Sequence, residues 1–126
     1  MQLINNAPGA PEAVGPYSQA VRSGGLLFCS GQIPIDPQAG SITATEIEGQ
    51  TRQVFANIRA VLASQSLELA SVIKATVFLQ DMAHFPTVNA IYSAEFAGHK
   101  PARSTVQVAR LPLNALVEIE VIAELV

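Results

Sequence analysis

Apolar residues recur with two different periods along this chain, and each switch of period marks a change of element. Ile47, Thr51, Val54, Phe55, Ile58, Val61 and Leu62 return at helical spacing along one face, and Thr45 with Glu48 has the form of a capping box at its start. A second helix is predicted from about Pro86, a favoured first-turn residue, with Val88, Ile91, Tyr92, Glu95 and Phe96 on one face. Gly98 closes it, and Pro101 prevents its continuation. Between the helices, Ser71 to Gln80 is rich in β-branched residues and reads as a central strand. Upstream, Ser18 to Arg22 and Leu26 to Ser30 flank Ser23-Gly24-Gly25, where glycine supplies the positive φ of a tight hairpin turn. After the turn signals Pro34 and Asp36-Pro37, Ser41 to Ala44 is predicted as a short third strand. The opening stretch, with Pro8, Pro11 and Gly15-Pro16, excludes a helix and is expected to wrap the surface.

The last quarter alternates with period two yet carries charge. Arg103, Thr105 and Gln107 point one way and Val106 and Val108 the other; Glu118 and Glu120 share a face opposite Val117, Ile119 and Val121. A guanidinium and two carboxylates on sheet faces read either as a prepared polar site or as a solvated face with surface ion pairs. The element order is two or three strands, helix, strand, helix, strand, strand. It predicts an α+β fold with a mixed sheet whose helices cover one face. The other face then needs cover of its own.

Composition sharpens that point. The 126 residues fit one compact domain spanning 1–126, yet 49% are apolar and only 13% charged, a deficit that self-association explains most simply. With net charge -3 and basic residues spread along the chain, a nucleic-acid partner is not expected. No apolar run approaches the roughly 18 residues that span a bilayer, and no basic-then-apolar leader opens the chain; a soluble, cytoplasmic protein is the expectation. Cys29 lies among Leu26, Leu27 and Phe28 and reads as a buried thiol rather than a nucleophile. His84 and His99 lack a ligand spacing, so no metal site is expected.

Three segments taken in order carry a resemblance: Gly15-Pro16-Tyr17-Ser18-Gln19-Ala20, Ser30-Gly31-Gln32-Ile33-Pro34, and the closing PARSTVQVARLPLNALVEIEVIAELV. Together they resemble the Rid/YjgF/UK114 family of reactive-intermediate deaminases, RidA branch, over essentially the whole chain. The resemblance implies a chorismate-mutase-like (YjgF-like) α+β domain, with a mixed six-stranded sheet and two helices on one face. It also implies a homotrimer with ligand clefts between subunits. The last strand enters the middle of the sheet, so the two closing strands are not a hairpin. Any closeness of Arg103 to Glu120 must then come from tertiary or quaternary arrangement.

Relatives of this kind hydrolyse 2-imino acids, such as 2-iminobutanoate and 2-iminopropanoate, to 2-oxo acids and ammonia without a cofactor. By the same resemblance Arg103 grips the substrate carboxylate in a two-pronged fork, and Glu120 orients and deprotonates the attacking water. Tyr17 either walls the cleft or anchors the leader on the sheet. Ser30 and Gly31 follow an apolar strand, where glycine allows close approach of backbone to ligand. Asn89 is either a ligand-facing position or an ordinary helix-surface Asn, and Glu118 either touches ligand or partner or belongs to an ion pair. Thr105 stands where many relatives have cysteine; a water-based mechanism survives that change, with Thr105 lending its backbone N–H to the carboxylate pocket. The alternatives are a non-catalytic trimer that binds a small carboxylate as a regulator or chaperone-like protein and, third, a ribonuclease or translation inhibitor.

Overall fold

A computed structural model describes residues 1–126. Six strands form one mixed sheet: β1 (Gln2–Ile4), β2 (Ala20–Ser23), β3 (Leu26–Cys29), β6 (Val72–Leu79), β7 (Ala102–Gln107) and β8 (Val117–Glu124), in the spatial order β1-β2-β3-β8-β6-β7. A small separate ribbon joins β4 (Ile35–Asp36) to β5 (Ser41–Ile42). The predicted third strand is therefore real but shorter than Ser41 to Ala44, and it lies outside the main sheet. The first strand, β1, had no periodic signal; at three residues it is too short to show one.

The predicted hairpin forms between β2 and β3, with Gly24 at φ 59° and Gly25 at φ 81°. Both central residues are left-handed, as a two-residue turn matched to strand twist requires. The closing strands do not form a hairpin. β7 runs parallel to β6 at the sheet edge, and β8 inserts between β3 and β6, antiparallel to both. Burying β8 on both edges gives its alternating apolar residues the centre of the core.

Helices α1 (Ile47–Ala63) and α2 (Phe85–Phe96) pack on one face of the sheet. Val54, Phe55, Ile58, Val61 and Leu62 of α1 are at most 2% exposed, and they meet Ala75, Val77, Leu79, Val117 and Ile119, each at most 1% exposed. Burying such side chains stabilises the fold by roughly 1.5–3 kcal/mol each. Phe55 also packs edge-on against Tyr92 and Phe96.

The helix ends differ from expectation. α1 starts at Ile47 with Glu46 as its extended N-cap and no side-chain cap, so the Thr45–Glu48 box does not form. Thr45 lies one residue outside the capping position, and Gln50 secures the start instead, donating to the Ala44 carbonyl at 3.0 Å and accepting from the Leu116 N–H at 2.8 Å. α2 closes one residue early, because Ala97 already adopts φ 51° before Gly98 at φ 93°. The leader does wrap the surface. Its anchor is Gln19, 2% exposed, which accepts from the Ala7 N–H and donates to the Pro11 carbonyl.

Candidate functional site

Arg103 lies on the open edge of the sheet, paired with Ala75 across β6. Paired residues share a face, so its side chain rises on the helix side. There the guanidinium stacks between two rings of α2, 4.7 Å from the centroid of Tyr92 and 5.5 Å from that of Phe85. Nη1 donates to Asn89 Oδ1 at 2.7 Å. Phe85, Asn89 and Tyr92 follow one another at i, i+4 and i+7, which is why a single helix face carries the whole platform. Cation–π contacts of this sort contribute about 0.5–2 kcal/mol, and they fix the direction of the fork.

The backbone adds to this arrangement. Val108 N–H donates to the Leu79 carbonyl at 2.9 Å. Alternation then turns the N–H groups of Ser104 and Val106 towards β6 and leaves those of Arg103, Thr105 and Gln107 on the unpaired edge. The unpaired N–H of Thr105 therefore faces outwards on the edge strand, two residues along from Arg103. The Thr105 hydroxyl is buried without a hydrogen-bond partner, and so is that of Tyr92. Asn89, Tyr92 and Arg103 line an open cleft of about 410 Å³ with Ser93, His99 and Lys100.

Glu120 lies elsewhere. It pairs with Thr76, the neighbour of Ala75, so it leaves the opposite face of the sheet, the one that no helix covers. It lines a second cleft of about 240 Å³ with Phe28, Lys74, Thr76 and Ile122. Within one chain Arg103 and Glu120 therefore do not meet.

Glu118 shares the open face with Glu120 and is half-buried. Next to it the β3–β8 pairing slips: Phe28 pairs with Ile122, whereas Gln32 bridges to Ile119, so three residues oppose two in a β-bulge. Gly31 sits in that bulge. A Cβ there would stand 2.9 Å from Glu118 Cδ and 3.1 Å from Cγ, so glycine is needed for Glu118 to lie across the backbone. Within the chain, what approaches Gly31 is the Glu118 carboxylate. Desolvation first, and the charge of Glu120 second, push the Glu118 carboxyl above its ordinary value.

Of the remaining predicted positions, Ser30 uses its hydroxyl structurally, donating to the Ser18 carbonyl at 2.6 Å. Tyr17 is 53% exposed and rests against Gly15. It does not anchor the leader, a task that falls to Gln19. Burial pushes the Cys29 thiol up to about 12, consistent with a packed rather than nucleophilic sulfur. No group of three or more His, Cys, Asp or Glu side chains is arranged to hold a metal ion.

Residues 7–125 match the family described as Endoribonuclease L-PSP, the YjgF/Rid proteins. The chain belongs to the YjgF/Rid family. It is 51% identical over 123 residues to a RutC family protein of Pyrococcus horikoshii, covering 98% of both chains. It is 45% identical over 117 residues to the 2-iminobutanoate/2-iminopropanoate deaminase of Salmonella typhimurium, covering 90% of this chain and 91% of the relative. Among solved structures, TdcF of E. coli with bound serine superposes with a TM-score of 0.92 at 41% identity over 98% of each chain.

For this YjgF/Rid chain, two features of the site had a weak sequence signal or none. Phe85 and Tyr92 look like core residues, and only their seven-residue spacing opposite an arginine strand hints at a platform. The Gly31–Glu118 contact had none, because the bulge that creates it depends on how β3 meets β8 in space.

Proposed function

We propose that this protein hydrolyses 2-imino acids, 2-iminobutanoate and 2-iminopropanoate among them, to 2-oxo acids and ammonia. The observation that carries the reading is the Arg103 fork: a guanidinium held by Asn89 and two rings at the rim of an open cleft, on an edge strand whose outward N–H groups include that of Thr105. A carboxylate fits that fork through two parallel hydrogen bonds, each worth roughly 1.5–3 kcal/mol when charge-assisted. It brings the adjacent C=N carbon to a fixed place. Water adds to that carbon, forming a C–O bond as the C=N π bond breaks, and the proton it gives up goes to the nitrogen. The hydroxyl of the resulting carbinolamine then passes its proton to the nitrogen, C=O forms as the C–N bond breaks, and ammonia leaves. Glu120 is the base assigned to the water.

Because Arg103 and Glu120 leave opposite faces of the sheet, a site using both is assembled from two copies of the chain. The uncovered face supports this, since Phe28 and Val106 are 42% and 44% exposed in a chain with few charges. In a homotrimer each boundary joins the Arg103 edge of one copy to the Glu120 face of the next, and Tyr17, Ser30 and Gly31 border the same cleft. Serine in the E. coli neighbour is a small amino acid whose carboxylate has the chemistry Arg103 would hold.

The test generates 2-iminobutanoate in place from threonine with a dehydratase and follows 2-oxobutanoate. Arg103→Ala should lower the accelerated rate by about 10²–10⁴, two charged hydrogen bonds' worth, and Glu120→Ala by about 10²–10⁴. Neither variant alone should work. Co-refolding the two should restore about a quarter of the activity, by random assortment of halves across a shared boundary. No acceleration by the wild type would leave a carboxylate-binding protein; no restoration in the mixture would mean that Arg103 and Glu120 do not share a site across a boundary. For ribonuclease chemistry, His84 and His99 are poorly placed, lying beyond opposite ends of α2, roughly 18 Å of helix apart.

A further inference from the structure

Lys100 enters the same cleft as Arg103, from the turn that joins α2 to β7. That turn is firmly built. Ala97 and Gly98 close the helix at φ 51° and 93°. His99 Nε2 lies 2.6 Å from the Val72 carbonyl and so carries its proton on that nitrogen, tying the turn to β6. Pro101 fixes the backbone on the far side of Lys100. The base of the Lys100 side chain is thereby held between two anchors, at most about 10 Å along the chain from Arg103. We propose that Lys100 is a specificity-determining residue that takes the second carboxylate of a 2-imino dicarboxylic acid, such as 2-iminosuccinate or 2-iminoglutarate, while Arg103 takes the first. The inference rests on the reading of Arg103 as the carboxylate fork and extends it to a substrate class.

The lining of the cleft favours charge over alkyl. Beside the two cations it offers the hydroxyl of Ser93 and the side chain of Asn89, whose Oδ1 already accepts from Arg103, leaving its amide N–H groups to donate. Its apolar surface is Pro101 and the ring of Tyr92, and the guanidinium already covers that ring at 4.7 Å. A methyl or ethyl group beside the imine carbon finds little to bury against there and gains little from leaving water. A carboxylate finds an ammonium and hydrogen-bond donors. The volume of about 410 Å³ is ample for a four- or five-carbon diacid.

Charge is matched as well. This chain brings Lys100 and Arg103 to the cleft, and the assembled site of the proposed reaction adds Glu120 from a second copy. One cation holds the carboxylate beside the C=N carbon, the other is left for the side-chain carboxylate, and Glu120 addresses the water. The reaction is unaltered: water adds across C=N, ammonia leaves, and the product is the 2-oxo diacid. A contact to the far carboxylate does not change as the C=N carbon reacts, so it reads out in KM rather than kcat.

The experiment compares hydrolysis of 2-iminosuccinate and 2-iminoglutarate, generated in place from aspartate and glutamate by amino-acid oxidases with catalase present, with that of 2-iminobutanoate. It uses the full-length protein and Lys100→Ala, Lys100→Arg and Lys100→Glu, with calorimetric binding of 2-oxoglutarate and 2-oxobutanoate alongside. The wild type should favour the diacids by about five- to tenfold in kcat/KM, and 2-oxoglutarate by a similar factor in Kd. Added salt should shrink the preference, as it does for a charge pair that solvent reaches. Lys100→Ala should erase it by raising KM for the diacids, Lys100→Arg should keep it, and Lys100→Glu should reverse it. The proposal is overturned if the wild type shows no preference. It is equally overturned if Lys100→Ala weakens mono- and dicarboxylates by the same factor, the result expected of a lysine that only supports the turn or pairs with Glu120 of a second copy. A wild type that hydrolyses no imine yet binds 2-oxoglutarate over 2-oxobutanoate through Lys100 would end the hydrolase reading and leave the diacid subsite standing.

Discussion

The two faces of β8 obey opposite rules. Towards the helices, Val117, Ile119, Val121 and Ala123 are each at most 2% exposed and complete a core that the chain closes by itself. Away from them, Glu118, Glu120, Ile122 and Glu124 stand half-buried or exposed, beside Phe28, on a surface the chain leaves bare. One strand thus serves stability on one side and chemistry on the other. Charge is affordable only on the side where burial is not finished within the chain, because a carboxylate on the helix face would lose its hydration without a partner.

Substitutions on the two faces separate these roles. Ile119→Ala removes a fully buried side chain from the closed face and should cost about 2–5 kcal/mol in urea unfolding, the cavity adding to the lost transfer energy. Ile122→Ala, one pleat away on the half-buried face, should cost about 1 kcal/mol or less at low protein concentration, where only its partial burial counts. Repeating both at increasing concentration sharpens the contrast. A cost at Ile122 that climbs towards that of Ile119 would show the open face buried against another copy.

The pH dependence of stability should come from the open face too. The Glu118 carboxyl is raised above its ordinary value of 4.5 by desolvation first and the Glu120 charge second. Below that ordinary value it is protonated folded or unfolded and imposes no penalty. As pH rises through the folded value, ionising it becomes costly only in the folded state, so stability falls. Glu118→Gln removes this dependence, and the gap between variant and wild type in urea midpoint should widen with rising pH and then level off. A gap that narrows with pH would mean that Glu118 has gained a cation in the assembled protein.

Much of the closed face was legible in the sequence, and little of the open one. Helical spacing from Ile47 to Leu62 and alternation from Val117 to Val121 announce which residues face inwards, because burial repeats with the geometry of each element. The same alternation separates Glu118 and Glu120 from their apolar neighbours. It cannot say that β8 enters the middle of the sheet, or that Arg103 therefore rises on the side opposite Glu120; that follows from the pairing of Ala75 with Arg103 and of Thr76 with Glu120. Strand order is a long-range property, and here the likeness to a family supplied what local pattern could not. The Thr45–Glu48 box shows the converse limit, a correct local signal overridden when Gln50 tied the helix start to Ala44 and Leu116.

The smallest effect is the most searching. Tyr92 is 7% exposed; its ring supports Arg103, and its hydroxyl is buried with no partner. Tyr92→Phe keeps the ring and removes a polar atom that lost its water on folding. An unsatisfied buried hydroxyl costs about 1–3 kcal/mol, of which relaxation of the new site returns only part. Thermal unfolding should therefore show the variant unchanged or up to about 1 kcal/mol more stable, with the Arg103 platform and any imine hydrolysis intact. A clear loss of stability would mean that the hydroxyl does find a partner once copies assemble. The helix side would then also be finished from outside the chain, and the division of labour between the two faces of the sheet would no longer hold.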